Sequence, residues 1–215
     1  MPPKGKAITI YETLKKQIIS GTPISEHGLT QGRIAEQFGI SRNTAKKVLL
    51  MLQNDGLLNA ENSKSATLYS YSLDEVLSLQ DLRAVLEGYI VSNATLLITK
   101  KQLSEMEKIL KKMDEHIENR RLMDYINCNE KFHAIIKQAC NNPVALKMLE
   151  QLTNQLRKYG RKTILIPGRD RASLQEHHEI LEALKAREPD LASEKMQLHI
   201  HNLRDTFKNN AELLM

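Results

Sequence analysis

Hydrophobic residues recur at helical spacing along most of the chain, and glycine or proline stands where these segments end. Apolar residues at Ile10, Leu14 and Ile18 predict a first helix over residues 8–20, with Gly21 as its natural stop. The same spacing continues through the rest of the sequence with few interruptions. The pattern therefore favours a mainly α-helical protein.

The next segment predicts two short helices followed by a hairpin. One helix is expected over residues 29–38, Gly39 makes a tight turn, and Ser41 caps a third helix. Residues 57–71 then change to short β-prone pieces around the polar turn Glu61-Asn62-Ser63-Lys64-Ser65. Two helices joined by a three-residue turn and followed by a hairpin indicate a winged helix-turn-helix, which we assign to residues 7–71.

From Ser72 the pattern is helical to the end of the chain. Ser72-Leu73-Asp74-Glu75 has the form of a capping box that opens a helix to about residue 98, and Thr99-Lys100-Lys101-Gln102 opens the next one. Further helices are predicted over residues 102–119, 122–140, 143–163, 170–187 and 190–213. Residues 72–215 are therefore expected to form an all-helical bundle.

Charge and composition indicate where the basic residues lie and which cellular compartment to expect. Residues 1–71 hold nine Lys and Arg against five Asp and Glu, whereas residues 72–215 hold 22 against 21, so the basic excess lies in the N-terminal part. No run of about 18 apolar residues and no secretory signal is visible. Cys128 and Cys140 lie twelve residues apart in one predicted helix, about 18 Å and beyond disulfide reach. We expect a cytoplasmic protein that does not span a membrane.

The start of the third helix carries side chains suited to DNA. In a helix-turn-helix this end enters the major groove, where Arg42 can bridge guanine O6 and N7 and Asn43 can bridge adenine N6 and N7. Ser41, Thr44 and the helix N–H groups can hold phosphates. A capped amphipathic helix with solvated cations is the simpler interpretation of the same residues.

These residues resemble a motif of the gluconate-repressor (GntR) family of bacterial transcription regulators. The match consists of Ile34-Ala35, Gly39-Ile40-Ser41-Arg42-Asn43-Thr44-Ala45-Lys46, Leu49 and Asp55-Gly56-Leu57. The resemblance implies contacts with double-stranded operator DNA from six residues: Arg33, Ser41, Arg42, Asn43, Thr44 and Lys46. Lys46 stands where arginine is frequent and is expected to contact phosphate, because an ammonium is a point charge without a bidentate fork.

Several apolar stripes of the second half carry a polar residue in the middle. Asn129 and His133 lie one helical turn apart on a face that should point inward. His177, His199 and Arg83 occupy the same kind of position on three other predicted helices. A single residue of this kind is most simply a hydrogen-bonded core histidine. Three imidazoles and the Asn129 oxygen would also supply four ligands to a zinc, nickel or manganese ion.

The second half resembles the FadR-like (FCD) helical effector domain of the same family. The resemblance rests on Asn129-Glu130-Lys131-Phe132-His133, on Glu176 through Leu181, and on Asp190 through His199. It implies a divalent metal site, with zinc as the first choice, at Asn129, His133, His177 and His199, and a small organic-acid effector that the metal helps to hold. Asn129 replaces the frequent aspartate, which removes one negative charge from the ligand set.

Arg83 is the candidate for the effector carboxylate, because its planar fork suits that group. Its alternatives are an ion pair with a buried glutamate and a surface arginine. His178 and His201 are expected outside the site, since each lies on a different face of its helix from the neighbouring ligand candidate.

The sequence therefore predicts a homodimeric transcriptional regulator with a small carboxylic acid as effector. One competing hypothesis is a metal-dependent hydrolase, against which Glu130 and Glu176 are expected to point away from the site. Another is a regulator that senses the metal ion itself.

Overall fold

The computed structural model describes residues 5–20, 29–62, 65–160 and 163–215. They divide into two compact units, one made of Met1–Tyr71 with Glu150–Lys158 and the other of Ser72–Leu149 with Tyr159–Met215. Helices dominate both units, which confirms the mainly α fold class. No helix among the described residues is both long and apolar enough to cross a bilayer.

Among its described residues, the first unit contains three helices of its own, a small sheet and part of one longer helix. The helices are α1 (Lys6–Ser20), α2 (Gln31–Phe38) and α3 (Arg42–Asn54), and the strands are β1 (Leu29–Thr30), β2 (Asn59–Asn62) and β3 (Ser65–Thr67). The antiparallel sheet has the order β1-β3-β2. This is the arrangement of a winged helix-turn-helix. Residues 63 and 64, at the tip of the predicted hairpin turn, lie outside the described residues.

Capping and a left-handed turn fix the two central helices of this unit. Gly39 adopts φ +57° after α2, and Ser41 accepts a hydrogen bond from the Thr44 N–H at the start of α3. The buried faces of α2 and α3 meet through Ile34, Ala45 and other residues that are fully buried. Small Ala45 permits the close approach that lets α3 present its opposite face to solvent.

One boundary of the first unit differs from the sequence prediction. Leu29 and Thr30 were expected to open a helix, but they pair with Ala66 and Ser65 as strand β1. The extended backbone of Thr30 then places its hydroxyl where it accepts a hydrogen bond from the Arg33 N–H. The prediction of a helix start at Leu29 is wrong because strand pairing with a distant segment outweighs local helix preference.

The second unit is built from long helices around one apolar core. They are α4 (Leu73–Leu97), α5 (Lys100–Glu118), α6 (Leu122–Ala139), α7 (Pro143–Gly160), α8 (Arg169–Ala186), α9 (Pro189–Asn209) and the short α10 (Ala211–Leu214), with a 3₁₀ turn at Thr163–Leu165. Within α7, residues 150–158 belong to the first unit. Helix α4 packs on α9 and α6, and α8 packs on α9 and α5. Both predicted capping boxes are present, at Ser72 with Glu75 and at Thr99 with Gln102.

The end of α4 is held by a cation. Arg187, in the left-handed conformation after α8, donates to the carbonyls of Thr95 and Ile98 at 2.6 and 2.5 Å. These are acceptors that a helix end leaves without intrahelical donors, so the guanidinium supplies the missing bonds and favours the negative end of the helix dipole. Near the chain end, Asn210 interrupts the single helix predicted over residues 190–213, so α9 and α10 are separate.

Two glycines of the first unit allow the cost of backbone strain to be measured apart from the cost of a steric clash. Both have positive φ, but a Cβ on Gly39 would meet nothing within 4 Å, whereas one on Gly56 would lie 2.8 Å from the Gln151 carbonyl oxygen. We expect Gly39→Ala to lower the free energy of unfolding by about 1–2 kcal/mol, the cost of a left-handed alanine. Gly56→Ala should cost at least about 1 kcal/mol more, because backbone must also move. Urea unfolding of both variants measures this, and equal losses would contradict it.

Candidate metal centre and nucleic-acid interface

The DNA-binding candidates on α3 share an outward-facing helix start. Ser41, Arg42 and Asn43 are exposed, and Thr44 is half-buried with its hydroxyl 3.0 Å from the Ser41 hydroxyl. Lys46 is exposed one turn further along. The apolar side chains of α3 face the core, and Ser41 and Thr44 also cap the helix start, whereas Arg42, Asn43 and Lys46 are exposed. The helix start therefore presents an uncovered polar and basic surface to a nucleic acid.

Arg33 lies on the neighbouring helix of the motif. It is exposed in the first turn of α2, where its backbone N–H bonds to the Thr30 hydroxyl. Its side chain is therefore on the surface of the first unit.

The three predicted histidine ligands come together in the core of the second unit. His133 on α6, His177 on α8 and His199 on α9 are all buried, with His177 fully so. The Nε2 atoms of His133 and His177 are 3.1 Å apart, and one ring nitrogen from each of the three histidines lies within 4.8 Å of the others. Phe132 packs edge-on against the His177 ring. Three imidazoles from three helices thus form one compact cluster in an apolar surrounding.

Two glutamates, Glu87 buried and Glu176 half-buried, face the outer nitrogens of this cluster. The Nδ1 atom of His199 lies 2.6 Å from the Glu176 carboxylate, and the Nδ1 atom of His133 lies 3.5 Å from the Glu87 carboxylate. A carboxylate that accepts the Nδ1 proton fixes the tautomer with a bare Nε2. The Nδ1 atom of His177 has no hydrogen-bond partner of ordinary geometry, although the Ser173 carbonyl lies nearby on the preceding turn. Two of the three rings are therefore held in a defined orientation.

An arginine balances each glutamate. Arg83 donates a hydrogen bond from Nε to Glu87 at 2.7 Å, and Arg169 donates two hydrogen bonds to Glu176, at 2.9 and 2.8 Å. Burial alone would raise the pKa of Glu87, but the charge of Arg83 and the contact with His133 outweigh it and hold that pKa well below its ordinary value. In the same way, hydrogen bonds from His199 and Arg169 overcome burial and lower the pKa of Glu176. Both carboxylates are therefore ionised at neutral pH.

The pKa values of His177 and His199 are also lowered, which for an imidazole favours the neutral form. Burial is the main cause that lowers the pKa of His177 well below its ordinary value, and the neighbouring His199 and His133 add to it. Burial also lowers the pKa of His199 to about 4, although the bond to Glu176 opposes the shift. At pH 7 both rings are therefore neutral, which is the state that binds a metal ion.

The remaining predicted residues divide between the cluster and its surroundings. Asn129 is half-buried one turn before His133 on α6. Arg83 forms an ion pair with the buried Glu87, which is one of the alternatives that the sequence left open. Glu87 in turn contacts His133, so it links Arg83 to the histidine cluster. His178 is exposed, and His201 lies 3.9 Å from Asp81.

Sequence reasoning missed the carboxylates of this site. Glu176 was expected to point away, but it lies against His199, and Asn202 donates to it as well. That expectation is wrong because the side chain that leaves α8 beside His177 meets α9, which the local pattern does not show. Glu87 carried a usable signal: it follows Arg83 at the four-residue spacing of a helical ion pair and is the one charged residue in 84–99.

Comparison with known proteins agrees with both halves of this description. Residues 6–68 match the model of the bacterial regulatory proteins of the gntR family, and residues 78–202 match the FCD domain. The chain belongs to the GntR family, with an FCD domain. It is therefore a transcriptional regulator of the GntR type, and the hydrolase hypothesis is wrong because family and relatives are regulators.

Relatives of this GntR-family chain match it along nearly their whole length. It is 28% identical to the HTH-type transcriptional regulator YdhC of Bacillus subtilis, over 95% of this chain and 92% of that protein. It is 22% identical to the HTH-type transcriptional repressor RspR of Escherichia coli, over 93% and 87%. The solved structure of E. coli McbR/YncC has the same fold, with a TM-score of 0.70, 24% identity and coverage of 96% and 99%.

Proposed function

We propose that this GntR-type regulator binds a divalent metal ion at His133, His177 and His199, with Asn129 as a fourth ligand, and that the ion helps to hold a small carboxylic acid that controls operator affinity. The observation that carries the proposal is the convergence of three buried imidazoles within 4.8 Å. Residues 7–71 would read the operator and residues 72–215 would sense the effector. We expect the protein to work as a cytoplasmic homodimer.

The geometry of the cluster is compatible with a bound metal ion. Two nitrogens bound tetrahedrally to one ion at about 2.1 Å stand about 3.4 Å apart, a few tenths of an ångström more than the 3.1 Å between the Nε2 atoms of His133 and His177. When His133 keeps its proton on Nδ1, facing Glu87, its Nε2 atom is an acceptor. The neutral His177 ring can meet that atom in two ways: it donates a hydrogen bond from Nε2–H, or, with its proton on Nδ1, it shares a metal ion with His133. Neutral imidazole with an oxygen ligand suits zinc first, with nickel or manganese as alternatives.

The charges around the cluster support an anionic effector. Glu87 and Glu176 carry two negative charges, and Arg83 and Arg169 carry two positive ones, so the four groups cancel. A divalent ion among neutral imidazoles then leaves two positive charges in a buried site, where an uncompensated charge is costly. A carboxylate bound to the ion would supply the missing negative charge.

Arg83 is the proposed second contact of that carboxylate. Its Nε–H already binds Glu87, but a guanidinium has five donors, and this one is partly open to solvent. Arg169 is less suited, because both of its terminal nitrogens bind Glu176 and its side chain is buried. The acid would therefore lie between the ion and Arg83.

Adjacent histidines on α8 give a matched test of the metal site. We expect roughly one ion per chain in untagged wild-type protein and in His178→Ala, because His178 is exposed. Less than about a tenth of that should remain in His177→Ala or His133→Ala, because removal of one of three imidazoles costs most of the affinity. Elemental analysis after purification without chelator measures the content, and equal content in His177→Ala and His178→Ala would refute the site.

A fourth-ligand variant extends this test. Asn129→Asp restores a charged oxygen ligand and should tighten metal binding, measured as slower loss of the ion to a competing chelator. Unchanged affinity would remove Asn129 from the proposed ligand set without affecting the three histidines.

DNA recognition is tested on α3. Arg42→Ala should cost about 1–3 kcal/mol on the preferred operator and relax base preference at one position, because a bidentate contact with guanine is lost. Lys46→Ala should weaken all sequences alike and reduce the salt slope of binding by about one unit, because one phosphate contact is lost. Random-oligonucleotide selection followed by fluorescence anisotropy at several salt concentrations measures both. If the intact protein selects no preferred sequence, the assignment of base-reading residues fails.

A further inference from the structure

The C-terminal end of α3 depends on donors from another part of the chain. The last four carbonyls of an α-helix have no donor within the helix. In α3, the backbone N–H groups of residues 55–57 donate to the carbonyls of residues 51–53. The Asn54 carbonyl, which is the last of the helix, and the Asp55 carbonyl directly after it accept hydrogen bonds from side chains. The end of the proposed base-reading helix is therefore completed from outside its own segment.

Both of these side chains come from α7. Gln151 donates from Nε2 to the Asn54 carbonyl at 2.5 Å, and Asn154 donates from Nδ2 to the Asp55 carbonyl at 2.7 Å. The two amides lie three residues apart, so they share one face of the helix. They belong to residues 150–158, which are part of the first unit although they lie within the FCD domain. A segment distant in sequence thus supplies two donors to the end of α3.

The backbone of this segment also lies directly against the turn that follows α3. Gly56 in that turn has φ +69°, and a Cβ there would lie 2.8 Å from the Gln151 carbonyl oxygen. Only a residue without a side chain allows such a close approach. Within the first unit, the end of α3 and the second half of α7 are therefore in contact through backbone as well as through side chains.

An ion pair strengthens the same contact. The Nζ atom of Lys15, on α1, lies 2.7 Å from the Asp55 carboxylate and 3.0 Å from the Glu150 carboxylate. Burial alone would lower the pKa of Lys15, but its hydrogen bonds to Asp55, Tyr11 and Glu150 outweigh burial and raise that pKa. The ammonium group therefore stays charged beside the negative end of the α3 dipole, where a cation is favourable.

The placement of this end matters for the opposite end of α3. The helix has 13 residues and is therefore about 20 Å long, with Arg42 and Asn43 at its start as the proposed base-reading residues. A side chain that reads a base must be held within about 0.5 Å of its productive position. Non-specific binding depends mainly on charge and tolerates larger displacements. Loss of the contact with α7 is therefore expected to weaken base reading more than non-specific binding.

From these observations we propose that Gln151 and Asn154 are positioning residues for operator recognition. They hold the end of α3 so that the start of the helix meets the bases in register. The DNA-reading module then consists of residues 7–71 together with residues 150–158 of α7. The proposal rests on the proposed function, because base reading by α3 is what requires a helix held in place.

Three variants of α7 separate this role from a general effect of charge. Gln151→Glu and Asn154→Asp keep the shape of each side chain but replace the amide donor with an oxygen. Gln155→Glu is the matched control, because the Gln155 oxygen accepts a hydrogen bond from the Tyr71 hydroxyl at 3.1 Å and glutamate retains that oxygen. Fluorescence anisotropy of the intact proteins should show a ratio of operator to random-sequence affinity at least about 10-fold lower in the first two variants than in the control. Equal ratios in all three would overturn the proposal.

Hydrogen exchange reports the hold on α3 without DNA. Amides in the last turn of α3 should exchange about 3-fold to 10-fold faster in Gln151→Glu than in Gln155→Glu, because the last carbonyl loses its donor. Gln151 is half-buried, so this variant also decides the question if Asn154→Asp fails to fold. Unchanged exchange would overturn the proposal. A wild type that selects no operator would refute base reading by α3, and the exchange measurement would still decide whether α7 holds this helix.

Discussion

The polar core of the second unit depends on one constraint: three imidazoles buried side by side need partners for their ring nitrogens. Glu176 and Glu87 meet this constraint for His199 and His133 by facing the Nδ1 atoms of these two rings. Each carboxylate is itself tolerable in the core only because an arginine lies against it. The arginines, carboxylates and histidines come from α4, α6, α8 and α9, so the polar network joins the helices that also share the apolar core. Loss of one partner leaves a buried charge or a wrong tautomer.

The same balance explains why the cluster suits a cation with an anionic companion. The charges of Arg83, Glu87, Arg169 and Glu176 cancel, so a divalent ion would add two positive charges to this part of the core. A ligand that carries negative charge would offset them. Charge therefore favours an anionic ligand beside the proposed ion, and the FCD resemblance is what suggests an organic acid. Linkage then requires that the acid bind one arrangement of the protein better than another, since a ligand with equal affinity for both changes nothing. In the proposed function, a change in DNA binding by the winged helix-turn-helix would report that the acid is bound.

Features that depend on local chemistry could be predicted from the sequence. The capping boxes at Ser72 and Thr99 follow from residues three positions apart, and the meeting of three histidines follows from their place in the middle of apolar stripes. Features that depend on distant partners could not. The strand at Leu29 exists because of Ala66, and the role of Glu176 exists because α9 lies beside it. Periodicity shows which face of a helix is buried, but it does not show which neighbouring helix that face meets.

The central claim is that metal and acid act together on operator affinity. The most direct measurement is fluorescence anisotropy of a selected operator with intact protein, titrated with a panel of small carboxylic acids in metal-loaded and in metal-stripped form. If metal and acid act together, one acid should change operator affinity by about 5-fold to 150-fold in the metal-loaded protein. The change should disappear in the metal-stripped protein and in His177→Ala. An acid response of equal size without the metal would contradict the account. A full change produced by the metal alone would instead make the ion itself the effector.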